Sequence, residues 1–405
     1  MGNDLMMNGQ ERGSWLPCLT GFRGIAAVWV VLFHFGRLSP LPRFLYCYGG
    51  QTLSSFFILS GIVLAYSYSE AVAAGAVGWC KFFNLRLARV VPVHVVTWLI
   101  ATVLHLGLAW NYSVEIHPFA SWLAGLFCVQ IYWPSLGLLY KWNAPSWSIS
   151  CELFFYALFP FLVPGLGRWL RSKSSAIVTM FCMWFFEVVL FLCASWIVVT
   201  MIRSGHSFLG YRTYGEAKMG VLHVFPLLRL GEFLLGMCIG MAALRWGPLL
   251  KSARHANLAL GFSIAAIVGL TQLPGLTSRT AGIQAYPLFV GFLALMLVAL
   301  MSGRTILTAF LNSRPIVFLG EISYSLYLVH CFFYPGQHPT KVIYALCFLG
   351  SLISATVLYL LVEQPARRAW RKFIKGRPAP KVSPFKDLSP SPEELGVNSR
   401  IELES

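Results

Sequence analysis

The first long apolar segment, LTGFRGIAAVWVVLFHFG (residues 19–36), contains two ionisable side chains, Arg23 and His34. Ionisable groups inside a membrane span are costly, and by default they mark a functional site. Eleven residues make about three helical turns, so both side chains lie on one helix face, about 16 Å apart along the axis. A histidine so placed can act as a general base on a hydroxyl or as a nucleophile. The ordinary alternative is an arginine that extends to the interface and a histidine bound by a neighbour.

A carboxylate, Glu152, lies in a later apolar segment, APSWSISCELFFYALFPFLVP (144–164). The membrane topology that the loop charges predict puts Glu152 and His34 at similar depths near the outer face. We therefore predict that the carboxylate pairs with the imidazole and fixes its tautomer. Trp147 and Ser148 precede the acid and are candidates to orient it or a sugar-like ring. Alternatively, Trp147 is an interfacial anchor and the serine caps the helix.

Two arginines, Arg86 and Arg89, begin the third apolar segment in FFNLRLARVVPVHVV (82–96). Arginines three residues apart share a helix face and form a fork that suits phosphate groups. The alternative is the ordinary basic flank of a membrane helix. His94 and His105 on this segment have no matching histidine pair for a haem, so we interpret them as structural residues.

Two other apolar segments also contain ionisable residues. FLGEISYSLYLVH (318–330) ends in His330, which is a candidate second histidine of the site, and it includes Tyr327, a residue type that often packs between membrane helices. Arg229 and Glu232 lie three residues apart in another segment. We interpret that pair as structural because the two charges can neutralise each other.

The composition requires that membrane helices position these side chains. Of 405 residues, 57% are hydrophobic and only 11% are charged, which predicts an all-α polytopic helical bundle. The net charge of +16 comes from short loops between apolar segments, which indicates membrane orientation and argues against nucleic-acid binding. The ten cysteines form no C-x-x-C pair, so we predict neither a metal site nor a bound cofactor.

Apolar segments long enough to cross a bilayer number about ten. They lie at 19–37, 52–69, 86–108, 147–166, 176–202, 221–244, 256–273, 282–302, 316–335 and 342–363. A further segment, 118–133, is short and is predicted to be re-entrant or interfacial. With both termini inside, the cytoplasmic loops hold more than twice as many lysines and arginines as the outer loops. If 118–133 crossed, every later loop would change sides.

Three regions follow from this pattern. Residues 1–18 are predicted to be a short cytoplasmic N-terminal segment without a cleavable signal, and residues 19–371 form the membrane domain. Residues 372–405 comprise a basic helix exit and a tail rich in proline, serine and acidic residues, which is typical of a disordered cytoplasmic segment.

Together these segments resemble membrane acyltransferase family 3, the integral-membrane O-acyltransferases that modify glycans, peptidoglycan, antigens and natural products. The resemblance covers residues 19–371. Six motifs carry it in order: R-x10-H at Arg23 and His34, FFILSG (56–61), R-x-x-R at Arg86 and Arg89, W-S-x-x-x-E from Trp147 to Glu152, LGEISYSLYLVH (319–330) and VEQPARR (362–368).

The resemblance implies transfer of an acyl group, most often acetyl, from a cytoplasmic acyl-CoA co-substrate to a hydroxyl of a glycan, lipid-linked sugar or small secondary metabolite. It implies catalytic residues His34, Glu152 and Arg23, donor-binding residues Arg86 and Arg89, and candidate acceptor-binding or supporting residues Ser60, Trp147, Ser148, Tyr327 and His330. One departure concerns the acid motif, because Leu153 follows Glu152 where relatives often have a second polar residue. Another is that only a short tail follows the last helix, where many relatives have a hydrolase-like domain.

Alternatives from other classes stay open at this point. Buried histidine, arginine and glutamate also suit a transporter or a flippase of a glycan or lipid-linked sugar, although such a protein gives no reason for the arginine fork. A non-catalytic scaffold is a third class. Within the enzyme hypothesis, direct attack by the acceptor and an acyl-histidine intermediate are both open. A bacterial plasma membrane is favoured over a eukaryotic endomembrane.

Overall fold

The computed structural model describes residues 16–36, 49–107, 118–132, 139–140, 142–207, 211, 213, 217–272, 286–336 and 340–374. Within these ranges the chain is helical and contains no β-strand. The helices are α1 (Leu16–Gly36), α2 (Gly49–Ala73), α3 (Trp79–Gly107), α4 (Pro118–Leu126), α5 (Trp147–Trp169), α6 (Lys173–Arg203), α7 (Pro226–Trp246), α8 (Ala253–Gln272), α9 (Tyr286–Leu300), α10 (Thr308–Leu311), α11 (Arg314–Val329), α12 (Lys341–Leu358) and α13 (Gln364–Ile374).

The predicted polytopic bundle is confirmed. In the described part of the chain, nine helices are long and apolar enough to cross a membrane. The tenth predicted span, 282–302, contains the shorter apolar helix α9. Helix α7 is the most buried span, whereas α6, α8 and α12 expose most of their apolar side chains, as suits contact with lipid. The predicted tail after 374 and the first fifteen residues lie outside the described residues.

The short segment at 118–133 forms a nine-residue helix, α4, followed by a turn. Nine residues extend only about 14 Å, less than half the hydrocarbon thickness, so this helix does not cross. Its end is a Schellman turn: the Val129 amide donates to the Ala124 carbonyl, and Cys128 adopts a φ of 56°. His94 Nε2 lies 3.1 Å from the Gly125 carbonyl oxygen, so this histidine contacts the end of α4.

Glycines allow two pairs of helices to approach backbone to backbone. A Cβ atom at Gly320 of α11 would lie 1.9 Å from the Thr20 carbonyl oxygen of α1, and one at Gly24 would lie 2.6 Å from the Gly320 nitrogen. Between α2 and α7, a Cβ at Gly236 would lie 2.1 Å from the Ile58 oxygen. Small residues are the usual means of close helix packing in membranes. These contacts hold α1 and α2, which carry site residues, against α11 and α7.

Two helix boundaries alter the sequence interpretation. Helix α3 begins at Trp79, so Arg86 and Arg89 lie two to three turns inside the helix and not in its first turn. The last span passes through one π-helical turn, Tyr359–Glu363, before α13 begins. A single π-helical turn inside a longer helix often occurs at a functional site.

Candidate active site

The two histidines predicted from separate motifs lie side by side. His34 of α1 and His330, at the end of α11, have ring centroids 4.8 Å apart, and His330 Nε2 lies 3.1 Å from His34 Nδ1. His330 is fully buried, and His34 is partly accessible. Cys331 Sγ lies 3.4 Å from the same Nε2 atom. One end of the site, at the C-terminal end of α1, is therefore built around a histidine pair.

Backbone carbonyls assign the tautomers of this pair. His34 Nδ1 lies 2.9 Å from the Val30 oxygen, and His330 Nδ1 lies 2.7 Å from the Tyr327 oxygen. Because a carbonyl can only accept, each neutral ring carries its proton on Nδ1. His330 Nε2 is then an acceptor, and the Nδ1 proton of His34 is shared between it and Val30. This arrangement makes Nε2 the basic nitrogen of His34.

The predicted pairing of Glu152 with His34 is wrong, because the hydrogen bond of His34 goes to His330 instead. Glu152 Oε2 accepts a hydrogen bond of 2.8 Å from the Tyr156 hydroxyl, one turn further along α5. Its charged neighbours are Arg89, Arg23 and Arg86. Similar depth on two helices was a poor guide, since the rotation of α5 turns this carboxylate towards the inner arginines.

These inner residues form a polar cluster at the level of Arg23, which we call the inner cluster: Arg23, Arg86, Arg89, Glu152, Glu363 and Arg367. Arg23 Nη2 donates a 2.7 Å hydrogen bond to the Gly320 oxygen of α11. Glu363, 2% exposed, accepts from the Ser325 hydroxyl at 3.0 Å and lies 3.5 Å from Arg367 Nη1. Arg23 and Arg89 both act electrostatically on Glu363 and on Glu152.

The predicted arginine fork has two unequal members. Arg86 Nη2 donates to the Tyr68 hydroxyl of α2, and its guanidinium carbon lies 4.7 Å from the centre of the Tyr68 ring. Arg89 is half-buried and faces Tyr156, Glu363 and Glu152. The fork thus directs one arginine to α2 and the other to the inner cluster.

Of the candidate supporting residues, Tyr327 lies beside the histidine pair. Tyr327 lies close to Ser148, and its ring centroid lies 5.9 Å from that of His330. Trp147, adjacent to Ser148, is buried. Ser60 is half-buried one turn along α2 from Phe56, whose ring lies 6.4 Å from Tyr327. Residues four apart share a helix face, so Ser60 belongs to the same side of α2.

Four contributors were not among the predicted site residues: Tyr156, Glu363, Arg367 and Tyr68. Tyr156 could have been predicted because it follows Glu152 by four residues and so shares its helix face. Glu363 could have been predicted because it is the only acid in the last apolar segment. Tyr68 had no signal in the sequence, because its role depends on a contact between α2 and α3. The described residues include no group of three or more His, Cys, Asp or Glu side chains that could hold a metal ion.

The described helices form an all-α membrane bundle with a histidine pair at one end of the site and an arginine-rich cluster at the other, and this arrangement suits a membrane acyltransferase. Residues 16–362 match the family model described as an acyltransferase domain, acyltransferase 3. The chain belongs to this acyltransferase family. It is a multi-pass membrane acyltransferase.

Two relatives illustrate the similarity. The chain is 28% identical over 331 residues to acyltransferase MdmB of Streptomyces mycarofaciens, covering 78% of each chain. It is 26% identical over 378 residues to O-acetyltransferase OatA of Staphylococcus aureus, covering 87% of this chain and 57% of that enzyme. The chain thus spans little more than half the length of the staphylococcal relative. No solved structure matches significantly.

Proposed function

We propose that this enzyme transfers an acetyl group from acetyl-CoA, entering from the cytoplasm, to a hydroxyl acceptor that reaches His34 from the outer side. The observation that carries the proposal is the division of the site into two ends about 16 Å apart along α1. Arg23 belongs to the inner cluster, and His34 belongs to the histidine pair. One helix therefore connects an anion-binding end with a base.

The charge of the inner cluster supports an anionic donor. Among the described residues, it contains four guanidinium groups and two carboxylates. An excess of positive charge at a partly buried site favours a bound anion, and arginine is the residue best suited to phosphate. The phosphates of a coenzyme A moiety meet this requirement. In this proposal, Arg89 and Arg86 hold the nucleotide end and the flexible arm passes Arg23.

His34 is the proposed catalytic base or nucleophile. In direct transfer, Nε2 takes the proton of the acceptor hydroxyl as the oxygen attacks the thioester carbonyl. The C–S bond then breaks, and the proton passes to the departing thiolate. In the other route, Nε2 itself attacks the thioester, and the acyl-histidine is consumed by the acceptor in a second step. The histidine pair serves both routes, because Nε2 of His34 carries the lone pair in each.

Glu152 has a different proposed role from the one its sequence position suggested. Bound to Tyr156 and flanked by arginines, it organises the inner cluster and keeps the guanidinium groups from repelling one another. Tyr327 and Ser148 are proposed to line the acceptor end. The acceptor classes are a glycan, a lipid-linked sugar or a small secondary metabolite, and the bacterial plasma membrane is the proposed location.

The direct test is acyl transfer by the purified full chain in detergent or nanodiscs. Radiolabelled acetyl-CoA is mixed with a pool of glycans and metabolites extracted from a strain lacking the gene, and labelled product is separated by chromatography. We expect label in a product with the wild type and none with His34→Ala. The matched control is Arg171→Ala, an exposed arginine after α5, which should transfer label like the wild type.

Equal labelling by wild type and His34→Ala would overturn the proposal. Transport of an unmodified glycan into vesicles, without label transfer, would favour the flippase alternative. Quenching a reaction that lacks acceptor separates the two chemical routes: protein-bound label that depends on His34 indicates the acyl-histidine, and its absence indicates direct transfer. Intact mass of the labelled product identifies the acceptor.

A further inference from the structure

Helix α6 holds a buried carboxyl group that the acyl-transfer site does not use. The helix lies at the periphery and exposes large apolar side chains, including Phe185 and Phe186. Glu187 is the only charged residue between Lys173 and Arg203, and it is 2% exposed. The helix therefore directs its single interior charge into the bundle.

Glu187 meets a charged pair on α7. Its side chain lies against the backbone of Gly231, where a Cβ atom would come within 2.9 Å of Glu187 Oε2. On either side of this glycine are Arg229 and Glu232, both fully buried, with 3.2 Å between Arg229 Nη1 and Glu232 Oε1. Sequence analysis interpreted those two residues as a self-neutralising pair, and the structure adds a second acid to them.

Neither oxygen of Glu187 has a hydrogen-bond partner among the described residues. With both carboxyl groups ionised, Glu187, Glu232 and Arg229 together would carry a net charge of −1. Burying an unpaired carboxylate is far more costly than burying the same group as a neutral acid. A single proton in the cluster removes the excess charge and supplies a hydrogen-bond donor.

The geometry points to a proton-binding site in which Glu187 and Glu232 together hold one proton beside Arg229. The groups that face it are Arg229 and Glu232 from α7, the Ser54 hydroxyl from α2, which bonds Glu232, and the Cys151 thiol from α5. Helix α9, which also packs against α6, has no charged residue.

This proton-binding site is distinct from the histidine pair and the inner cluster. Arg229 lies with its guanidinium carbon 5.2 Å from the centre of the Phe57 ring, and the Phe57 ring lies 6.4 Å from that of Trp147. On this side, Arg229 therefore contacts Phe57, whose ring neighbours Trp147, the residue before Ser148. The proposed role of the proton is to neutralise the buried carboxyl group where α6 packs against α7, so that this peripheral helix can bury Glu187.

Infrared difference spectroscopy of the purified full chain tests the proposal. The wild type should show the carbonyl stretch of a protonated carboxyl group, shifted in heavy water. Glu187→Gln and Glu232→Gln should each abolish that band, because either variant leaves one carboxylate paired with Arg229. Arg229→Met leaves two acids without a counter-charge, so both should be protonated and the band should grow about twofold. The matched control is Glu70→Gln, an exposed acid of α2 whose loss should leave the band unchanged.

Thermal stability measurements show whether a variant loses the carbonyl band because it misfolds. A glutamine has the shape and neutrality of the protonated acid, so Glu187→Gln should retain wild-type thermal stability and acyl transfer within about twofold. Identical spectra for wild type and Glu187→Gln would overturn the proposal. A second result would also overturn the proposal: thermal stability that requires sodium or potassium ions in the wild type but not in Glu187→Gln. A metal cation would then occupy the place of the proton.

Discussion

His330 Nε2 lies 3.1 Å from His34 Nδ1, although the two residues are 296 positions apart in the chain. The pairing places the first-helix histidine in a fixed tautomer without a carboxylate. Two of its partners are the Val30 carbonyl and the His330 ring, so hydrogen bonds to uncharged groups orient the base. This distinguishes the site from the acid–histidine dyad that the sequence suggested.

Replacing His34 removes the proposed base and nucleophile. We expect His34→Ala to lower kcat by about 10²–10⁴-fold, the usual contribution of a positioned general base. The donor KM should change little, because the arginines that bind the donor lie at the other end of α1. The measurement is steady-state acetyl transfer, with a thermal melt to verify folding; wild-type kcat in the variant would contradict the assignment.

His330 is a positioning residue, and its effect should depend on whether the replacement can accept a hydrogen bond. His330→Ala should lower kcat about tenfold, as expected from loss of one hydrogen bond. His330→Asn keeps a side-chain oxygen that can accept from His34 Nδ1, so it should recover part of that loss. If both variants lost activity equally while melting like the wild type, the hydrogen bond would have no role in catalysis.

Arg89 should control donor binding more than chemistry. Arg89→Ala should raise the donor KM about tenfold or more with a smaller change in kcat, because a charge-assisted contact to phosphate contributes roughly 1.5–3 kcal/mol. The KM of the wild type should also rise with ionic strength, and the variant should show a weaker salt dependence. Exposed Arg171→Ala is the control, and a donor KM raised equally in both variants would contradict a specific role.

The Tyr68 hydroxyl should matter through Arg86, since Arg86 Nη2 donates to it. Tyr68→Phe keeps the ring beneath the guanidinium and removes only this bond, so the donor KM should rise about 3–10-fold, corresponding to ~1 kcal/mol. Tyr132→Phe, at a half-exposed tyrosine, is the control. A change in kcat with an unaltered donor KM would place Tyr68 in the chemical step instead.

The contact between α1 and α11 should not tolerate a side chain at Gly320. A Cβ there would lie 1.9 Å from the Thr20 oxygen, and the carbonyl of Gly320 itself receives the Arg23 guanidinium. Gly320→Ala should therefore destabilise the protein by about 1–3 kcal/mol and displace Arg23. Gly261→Ala, where nothing lies within 4 Å, should be neutral or stabilising by less than about 1 kcal/mol. Thermal melting in detergent compares the two.

The sequence by itself determined the helical bundle, the position of most of its spans and the shared face of Arg23 and His34. These properties are local: apolar length and helical periodicity set them within one segment. The short apolar length and the loop charges predicted that 118–133 is re-entrant or interfacial, and the nine-residue α4 agrees with this prediction. It also found His330, because an ionisable residue in an apolar segment is conspicuous wherever it stands.

Only the tertiary structure decided which ionisable residues meet. Glu152 contacts Tyr156 and the arginines, and Glu363 lies in the inner cluster. Glu187, on a peripheral helix, lies near Arg229. Partners on different helices depend on how each helix is rotated and how closely it approaches its neighbours. Backbone contacts at glycines such as Gly24 and Gly320 set that approach. Residue spacing along one segment contains no information about rotation relative to another segment, so depth alone gave His34 the wrong partner.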